Sequence, residues 1–187
     1  VIESFNHALR IPFCRLQRYK HSGTRCSALF SASEMEQAGF KCDSLQELLA
    51  RLGNPQNQTR FLHIAGTNGK GSVGAMLRTI LTKAGYRVGQ YSSPAVFDPM
   101  EPWRIGEDTI ALDEYAALVS RIRWQRDAML REEQAVPTAF EIETALAFLY
   151  FAEHRCDMAV LECGMGGRED ATNVIQTSML SLLTSIG

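Results

Sequence analysis

From Asp43 onward, apolar residues recur at spacings that predict alternating helices and strands. A first short helix is predicted from helical spacing of leucines, and a Gly-Asn-Pro stop signal follows at 53–55. The same pattern predicts strands at 60–65, 87–92, 158–162 and 179–183, and helices over 71–84, 113–131 and 138–153. Strands that alternate with helices favour an α/β fold with a mostly parallel sheet and helices on both faces.

One segment breaks this alternation. Residues 94–108 contain Pro94, Pro99, Pro102 and Gly106, which predicts a loop that neither continues a sheet nor starts a long helix. The two helices that follow are predicted to begin at Asp113 and Thr138, because both are good N-cap residues.

The first predicted strand leads directly into a glycine-rich turn with a lysine and a hydroxyl at a helix start. Such a turn predicts a phosphate site, because backbone N–H groups and the positive end of the helix converge there. A lysine adds a full charge, and the serine hydroxyl stands where such loops hold Mg²⁺, so the predicted ligand is magnesium-bound nucleoside triphosphate. The residues are Gly66, Thr67, Asn68, Gly69, Lys70, Gly71 and Ser72.

This turn departs from the usual P-loop spacing, since Ile64 and Gly71 stand where glycine and a hydroxyl would be required. It is therefore interpreted as a shortened variant. The alternative is a tight turn with a close helix contact and no ligand.

Ligands in open parallel sheets bind at the carboxyl ends of the strands. Those ends are predicted to carry Gly66–Ser72, Ser92-Ser93 and Glu162. A carboxylate that ends an apolar strand is costly unless it is paired or binds metal, so Glu162 is predicted to be a Mg²⁺ ligand. The alternative is a surface acid at a strand end.

Composition limits the class of protein. The chain has 187 residues, 45% of them hydrophobic, and a formal net charge of -2. These values predict one ordinary core, no nucleic-acid partner and, without an 18-residue apolar run, no membrane span. Five cysteines without C-x-x-C spacing indicate neither a disulfide framework nor a zinc site, which favours a reducing, cytoplasmic setting.

Residues 1–42 differ from the rest of the chain and are predicted to form an N-terminal arm beside a domain at 43–187. The first 25 residues contain five Lys or Arg and the single acid Glu3. A solvated arm is one interpretation. A mitochondrial transit peptide is the other, because the arm is basic and contains several serines.

Six ordered motifs together resemble the folylpolyglutamate synthase/dihydrofolate synthase family of Mur-ligase-like, ATP-dependent ligases. They lie at 52–56, 63–73, 91–94, 140–148, 161–173 and 183–187. The resemblance spans about 43 to 187 and implies a P-loop-containing, Mur-ligase-like central domain. The glycine after the loop lysine looks like the folate branch of the superfamily.

The resemblance also implies a reaction and its cofactors, ATP and Mg²⁺. A folate or dihydropteroate carboxylate would attack the γ-phosphate of ATP, and the amine of L-glutamate would then displace phosphate from the acyl phosphate. Lys70 and Glu162 would be catalytic, and Ser72, Ser93 and Glu162 would hold the metal. The pterin would contact Thr138, Phe140, Asp170 and Ala171, with Arg168 and Asn173 on the same wall.

Two of these residue types have simpler interpretations. Phe140 on an apolar helix face could be core packing, and His63 in a strand is expected to be a satisfied core histidine rather than a ligand. The chain also departs from the family pattern at Ala95, where histidine is common, and at Glu169, where an apolar residue is common.

The family pattern continues beyond the last matched motif with an Asp-His pair, a carbamylated lysine and a C-terminal domain. We therefore expect an N-terminal ATP-binding portion that is a poor catalyst alone and belongs to a monomeric enzyme. Two alternatives stay open, a non-catalytic nucleotide-binding module and a Mur-like ligase for another carboxylate.

Overall fold

A computed structural model describes residues 43–176 and 178–186. Within them the helices are α1 Asp43–Arg51, α2 Lys70–Lys83, α3 Leu112–Arg131 and α4 Ala139–Glu153. The strands are β1 Arg60–Ala65, β2 Val88–Tyr91, β3 Trp103–Ile105, β4 Asp108–Thr109, β5 Met158–Glu162 and β6 Leu180–Leu183. The predicted helices and strands occur in the predicted order, with β3 and β4 in addition. The prediction for residues 1–42 lies outside the described residues.

The six strands form a single sheet in the order β4-β3-β2-β5-β1-β6. Four neighbouring strands, β2, β5, β1 and the edge strand β6, are parallel, with β5 lying between β1 and β2. Leu62 of β1 is level with Val160 of β5 on one side and with Leu180 of β6 on the other. The mostly parallel α/β sheet is therefore as predicted.

Helix α2 covers one face of the sheet. Its partly buried Val73, Leu77 and Leu81 pack on a core whose strand residues are Leu62, Ile64, Val88, Met158 and Val160. The helix approaches closely at Gly74, where an added Cβ would lie 3.2 Å from the Gln90 amide nitrogen. This packing holds the first turn of α2 at the carboxyl end of β1.

Helix α4 covers the opposite face. The Phe148 ring meets that of Phe61 edge-on at a centroid distance of 5.4 Å, and Phe151 lies against Gly89. Residues 144–151 of this helix are all buried, because α1 and α3 pack on its outer side. Helices thus lie on both faces, as predicted, and no helix in the described ranges is long and apolar enough to cross a membrane.

The prediction of an unbroken loop over 94–108 is wrong. Strand β3 pairs antiparallel with β2, and β4 pairs antiparallel with β3. Trp103 anchors this hairpin, since it is buried, stacks on Tyr91 at 6.2 Å and donates its indole N–H to the backbone oxygen of Glu143. The prolines all precede Trp103, so they do not interrupt the three paired residues.

The two predicted helix starts differ in outcome. Thr138 is the N-cap of α4 and forms a reciprocal capping box with Glu141, as its residue type suggests. Asp113 is not a cap, because α3 begins at Leu112 with Ala111 as its N-cap residue. Asp113 instead lies in the first turn, where its negative charge interacts favourably with the positive end of the helix dipole.

Candidate functional site

The glycine-rich turn at 66–69 joins the carboxyl end of β1 to α2 and is fixed by the residues after β6. The amides of Thr67 and Asn68 donate to the Ser185 backbone oxygen at 2.8 and 3.3 Å. Gly66 has φ +137°, and a Cβ there would lie 2.1 Å from the Thr184 hydroxyl oxygen, so only glycine fits.

The hydrogen bonds to Ser185 limit which backbone amides can bind an anion. The first hydrogen bond within α2 runs from the Val73 amide to the Gly69 oxygen. The amides of Lys70, Gly71 and Ser72 precede it and lack a partner within the helix. Because the Thr67 and Asn68 amides already bind Ser185, the start of α2 is where this turn can bind a phosphate.

Lys70 and Glu162 meet at the same edge. The ammonium group of Lys70 donates to the Gly66 oxygen at 2.9 Å and lies 3.9 Å from a carboxylate oxygen of Glu162. Glu162 is only 9% exposed, and this burial raises its pKa while Lys70 opposes the rise. Gly71 lies beside the same carboxylate, because an added Cβ would be 3.7 Å from it. A buried acid and a lysine therefore lie beside the phosphate-binding turn.

The predicted metal ligands come from three neighbouring segments. Ser72 is in the first turn of α2, Glu162 ends β5, and Ser93 follows β2. Tyr91 is level with Leu161, so 92–93 follows at the height of 162–163. One carboxylate and two hydroxyls are hard oxygen donors of the kind that Mg²⁺ accepts beside phosphate and water, so these residues fit the ion.

Two of the residues predicted to contact the pterin lie at the start of α4. Thr138 caps the helix, and the Phe140 ring is 6.3 Å from that of Tyr91. Phe140 also lies against the turn after β5, since a Cβ on Gly164 would be 2.6 Å from the ring. Phe140 is only partly buried.

The Asp170 side chain accepts hydrogen bonds from residues of the loop after β5. One carboxylate oxygen accepts from the Thr172 amide at 2.9 Å and from its hydroxyl at 2.5 Å, and the other accepts from the Met165 amide at 2.8 Å. Asp170 and the neighbouring Ala171 are both buried. The carboxylate therefore organises the 164–172 loop.

Arg168 and Asn173 lie in and after the loop that follows β5. They line an open pocket of about 380 Å³ together with His63, Cys163 and Ser181, and Phe140 is not part of its wall. The amide group of Asn173 donates to the Arg168 backbone oxygen at 2.9 Å. That Arg168 and Asn173 share a pterin-binding wall with Phe140 stays a prediction.

Sequence reasoning missed the polar network around His63. Its Nε2 lies 2.7 Å from the Thr172 hydroxyl and 2.9 Å from the Cys163 sulfur. The histidine is satisfied at this nitrogen, as expected, yet it also lines the pocket. The alternation of β1 was the available signal, because His63 and Ala65 lie on the face opposite Leu62 and Ile64.

The fold and this edge define an α/β nucleotide-binding-type domain with a shortened P-loop turn. The chain is 44% identical over 144 residues to dihydrofolate synthase/folylpolyglutamate synthase of Bacillus subtilis, covering 76% of this chain and 33% of the relative. It therefore belongs to the folylpolyglutamate synthase/dihydrofolate synthase family. No family model matches it.

Solved structures agree with this assignment. Folylpolyglutamate synthase of Thermotoga maritima is 41% identical with a TM-score of 0.74, covering 78% of this chain and 34% of that one. The Mycobacterium tuberculosis synthase, complexed with ADP and AMPPCP, is 36% identical with a TM-score of 0.75, covering 79% and 34%. The chain spans about a third of the length of these relatives.

Proposed function

We propose that this chain is the ATP-binding part of a ligase that adds L-glutamate to folate or dihydropteroate through an acyl phosphate. The observation that carries the proposal is the meeting of Lys70, Glu162 and the first turn of α2 at one sheet edge. Membership of the family supports it, as does the nucleotide bound to the Mycobacterium tuberculosis relative.

In the first half-reaction, an oxygen of the acceptor carboxylate attacks the γ-phosphorus of ATP, and the bond to the bridging oxygen of ADP breaks. Negative charge on the transferring group is stabilised by the Lys70 ammonium and by the amides of Lys70, Gly71 and Ser72. A magnesium ion held by Ser72, Ser93 and Glu162 would neutralise charge on the phosphates. The buried position of Glu162 strengthens this electrostatic interaction.

In the second half-reaction, the glutamate amine attacks the acyl carbon and phosphate leaves, which gives the amide. The acceptor is proposed to stack its heterocycle on Phe140 and to contact Thr138, Asp170 and Ala171. Support comes from the partly buried Phe140, whose ring lies against Gly164, two residues after Glu162. The Phe140 ring and the phosphate-binding turn therefore both lie beside the carboxyl end of β5.

The proposal is tested by joining the chain to the remaining C-terminal two thirds of the Bacillus subtilis relative and measuring ADP release. We expect release that requires both a pteroate or folate acceptor and L-glutamate, with a new acceptor–glutamate amide detected by mass spectrometry. ATP bound without any amide formed would instead indicate a nucleotide-binding module. Turnover with another carboxylate alone would indicate a different Mur-like ligase.

A further inference from the structure

The loop that joins β2 to β3 contains Ser93 and is closed at its base. Tyr91 is level with Trp103 across the antiparallel pair, and the Ser92 amide donates to the Pro102 backbone oxygen at 3.1 Å. These contacts fix the backbone immediately before Ser93.

The carboxylate of Glu101 holds the other side of this loop. One of its oxygens accepts from the amides of Val96 and Phe97. The other accepts from the amides of Phe97 and Asp98, both at 3.3 Å. Three consecutive backbone amides therefore bind a single side chain, and a carboxylate suits them because it offers two charged oxygens that only accept.

The surroundings of Glu101 keep it charged. Partial burial acts to raise the pKa of this carboxyl, but the hydrogen bonds from the three amides and the charge of Arg104 outweigh it, so the pKa lies below its usual value. The Glu101 amide also donates to the Asp98 backbone oxygen at 3.0 Å. The turn at 96–101 is thus held by both the side chain and the backbone of one residue.

Ser93 lies between these two fixed points. Only Pro94 and Ala95 separate it from Val96, whose amide binds Glu101. A segment this short has little conformational freedom when it is attached at both ends, and the proline ring reduces that freedom further by fixing φ. The backbone position of Ser93 therefore depends on the hydrogen bonds of Glu101 as well as on strand β2.

This position is next to the carboxylate proposed to hold magnesium. Strands β2 and β5 are parallel neighbours with Tyr91 level with Leu161, and Glu162 directly follows Leu161. Neighbouring strands lie about 4.8 Å apart. Since Mg²⁺ requires near-ideal octahedral geometry, a displaced Ser93 hydroxyl would coordinate the ion poorly.

We propose that Glu101 is a positioning residue for magnesium, because it holds the loop that places the Ser93 hydroxyl beside Glu162. The inference rests on the proposed function, which supplies the role of Ser93. It goes beyond that function by assigning a task to a residue that binds neither metal nor substrate, since its carboxylate is used within the loop.

Amide hydrogen exchange, followed by NMR in the metal-free chain, tests whether Glu101 holds the loop. Glu101→Gln keeps one acceptor oxygen but loses the charge, so exchange at Val96, Phe97 and Asp98 should become roughly tenfold faster. Glu107→Gln is the matched control. It removes a charge from the turn of the β3–β4 hairpin, where the carboxylate lies 3.3 Å from the Arg78 guanidinium group, and should leave the three amides unchanged. Equal exchange rates in Glu101→Gln and the unaltered chain would overturn the inference.

Titration of ATP at a series of Mg²⁺ concentrations tests the effect on the metal. Glu101→Gln should bind metal-free ATP as the unaltered chain does. The Mg²⁺ concentration that half-saturates the ATP complex should rise roughly tenfold to a hundredfold, the range for residues that orient a metal ligand. Glu107→Gln should show no such rise.

A double variant shows whether Glu101 acts through Ser93. Ser93→Ala should weaken Mg²⁺ binding, and adding Glu101→Gln to it should weaken binding no further, because both changes affect one ligand. Additive losses, or full Mg²⁺ affinity in either single variant, would overturn the inference. If the unaltered chain binds no ATP, the proposed function fails together with this inference, whereas normal Mg·ATP binding by Glu101→Gln removes this inference alone.

Discussion

At the scale of single residues, the Lys70 side chain links the phosphate-binding turn to the buried acid at the end of β5. It donates to the turn at Gly66 and lies 3.9 Å from Glu162. In the chain joined to the C-terminal two thirds of the Bacillus subtilis relative, Lys70→Ala should lower the rate of ATP-dependent ligation at least about a hundredfold, because a preorganised charge is lost. Initial rates of ADP release measure this. Lys83→Ala, in the last turn of the same helix, is the control and should turn over normally.

Glu143 provides a second residue-scale prediction, on stability. Burial raises its pKa from 4.5 to about 7, so the folded protein holds this proton more tightly than the unfolded chain does. Stability is therefore lost as pH rises through this interval. At about pH 8 the free energy of unfolding of Glu143→Gln should be on the order of 2 kcal/mol higher than that of the wild type. This difference should shrink near pH 5.

Urea unfolding of the two proteins at both pH values measures the effect of Glu143. The exposed Glu169→Gln should show no such pH dependence. An equal difference at the two pH values would mean that Glu143 is not an acid held neutral by burial.

At the scale of elements, strand β2 and helix α4 meet at a glycine. A Cβ on Gly89 would lie 2.5 Å from the buried Phe151 ring, so Gly89→Ala should destabilise the fold by on the order of 2 kcal/mol. Gly71→Ala is the control: its Cβ meets only an ordinary 3.7 Å contact and lies in a helix, so stability should hold or rise by up to about 1 kcal/mol. Thermal unfolding compares them, and equal melting temperatures would contradict this packing.

The helices and strands that were predicted from the sequence are those that the pattern of apolar residues within the element itself determines. Strand β5 is a short apolar run that ends in Glu162, and helix α4 is rich in apolar residues. Its capping box is formed by Thr138 and Glu141, which are close in sequence. Hairpin β3–β4 was missed because Trp103 is held by distant partners, the ring of Tyr91 and the backbone of Glu143. No local pattern reveals such contacts.

At the scale of the whole molecule, topology explains how much of the site was predictable. Parallel strands bring their carboxyl ends to one edge, so it was predictable that the glycine-rich turn and Glu162 would lie near each other, as Lys70 and Glu162 do. The use of the Thr67 and Asn68 amides by Ser185 did not, because that partner comes from the far end of the chain. The roles of Asp170 within its loop and of His63 in the pocket likewise depend on long-range packing.

The central claim is that this edge binds nucleotide triphosphate with magnesium. Isothermal titration of ATP into the chain, with and without Mg²⁺, tests it most directly. We expect one site per chain, tighter binding with Mg²⁺, and loss of that Mg²⁺ dependence in Glu162→Gln. The claim is contradicted if ATP does not bind, or if Lys70→Ala and Glu162→Gln bind Mg·ATP as tightly as the unaltered chain.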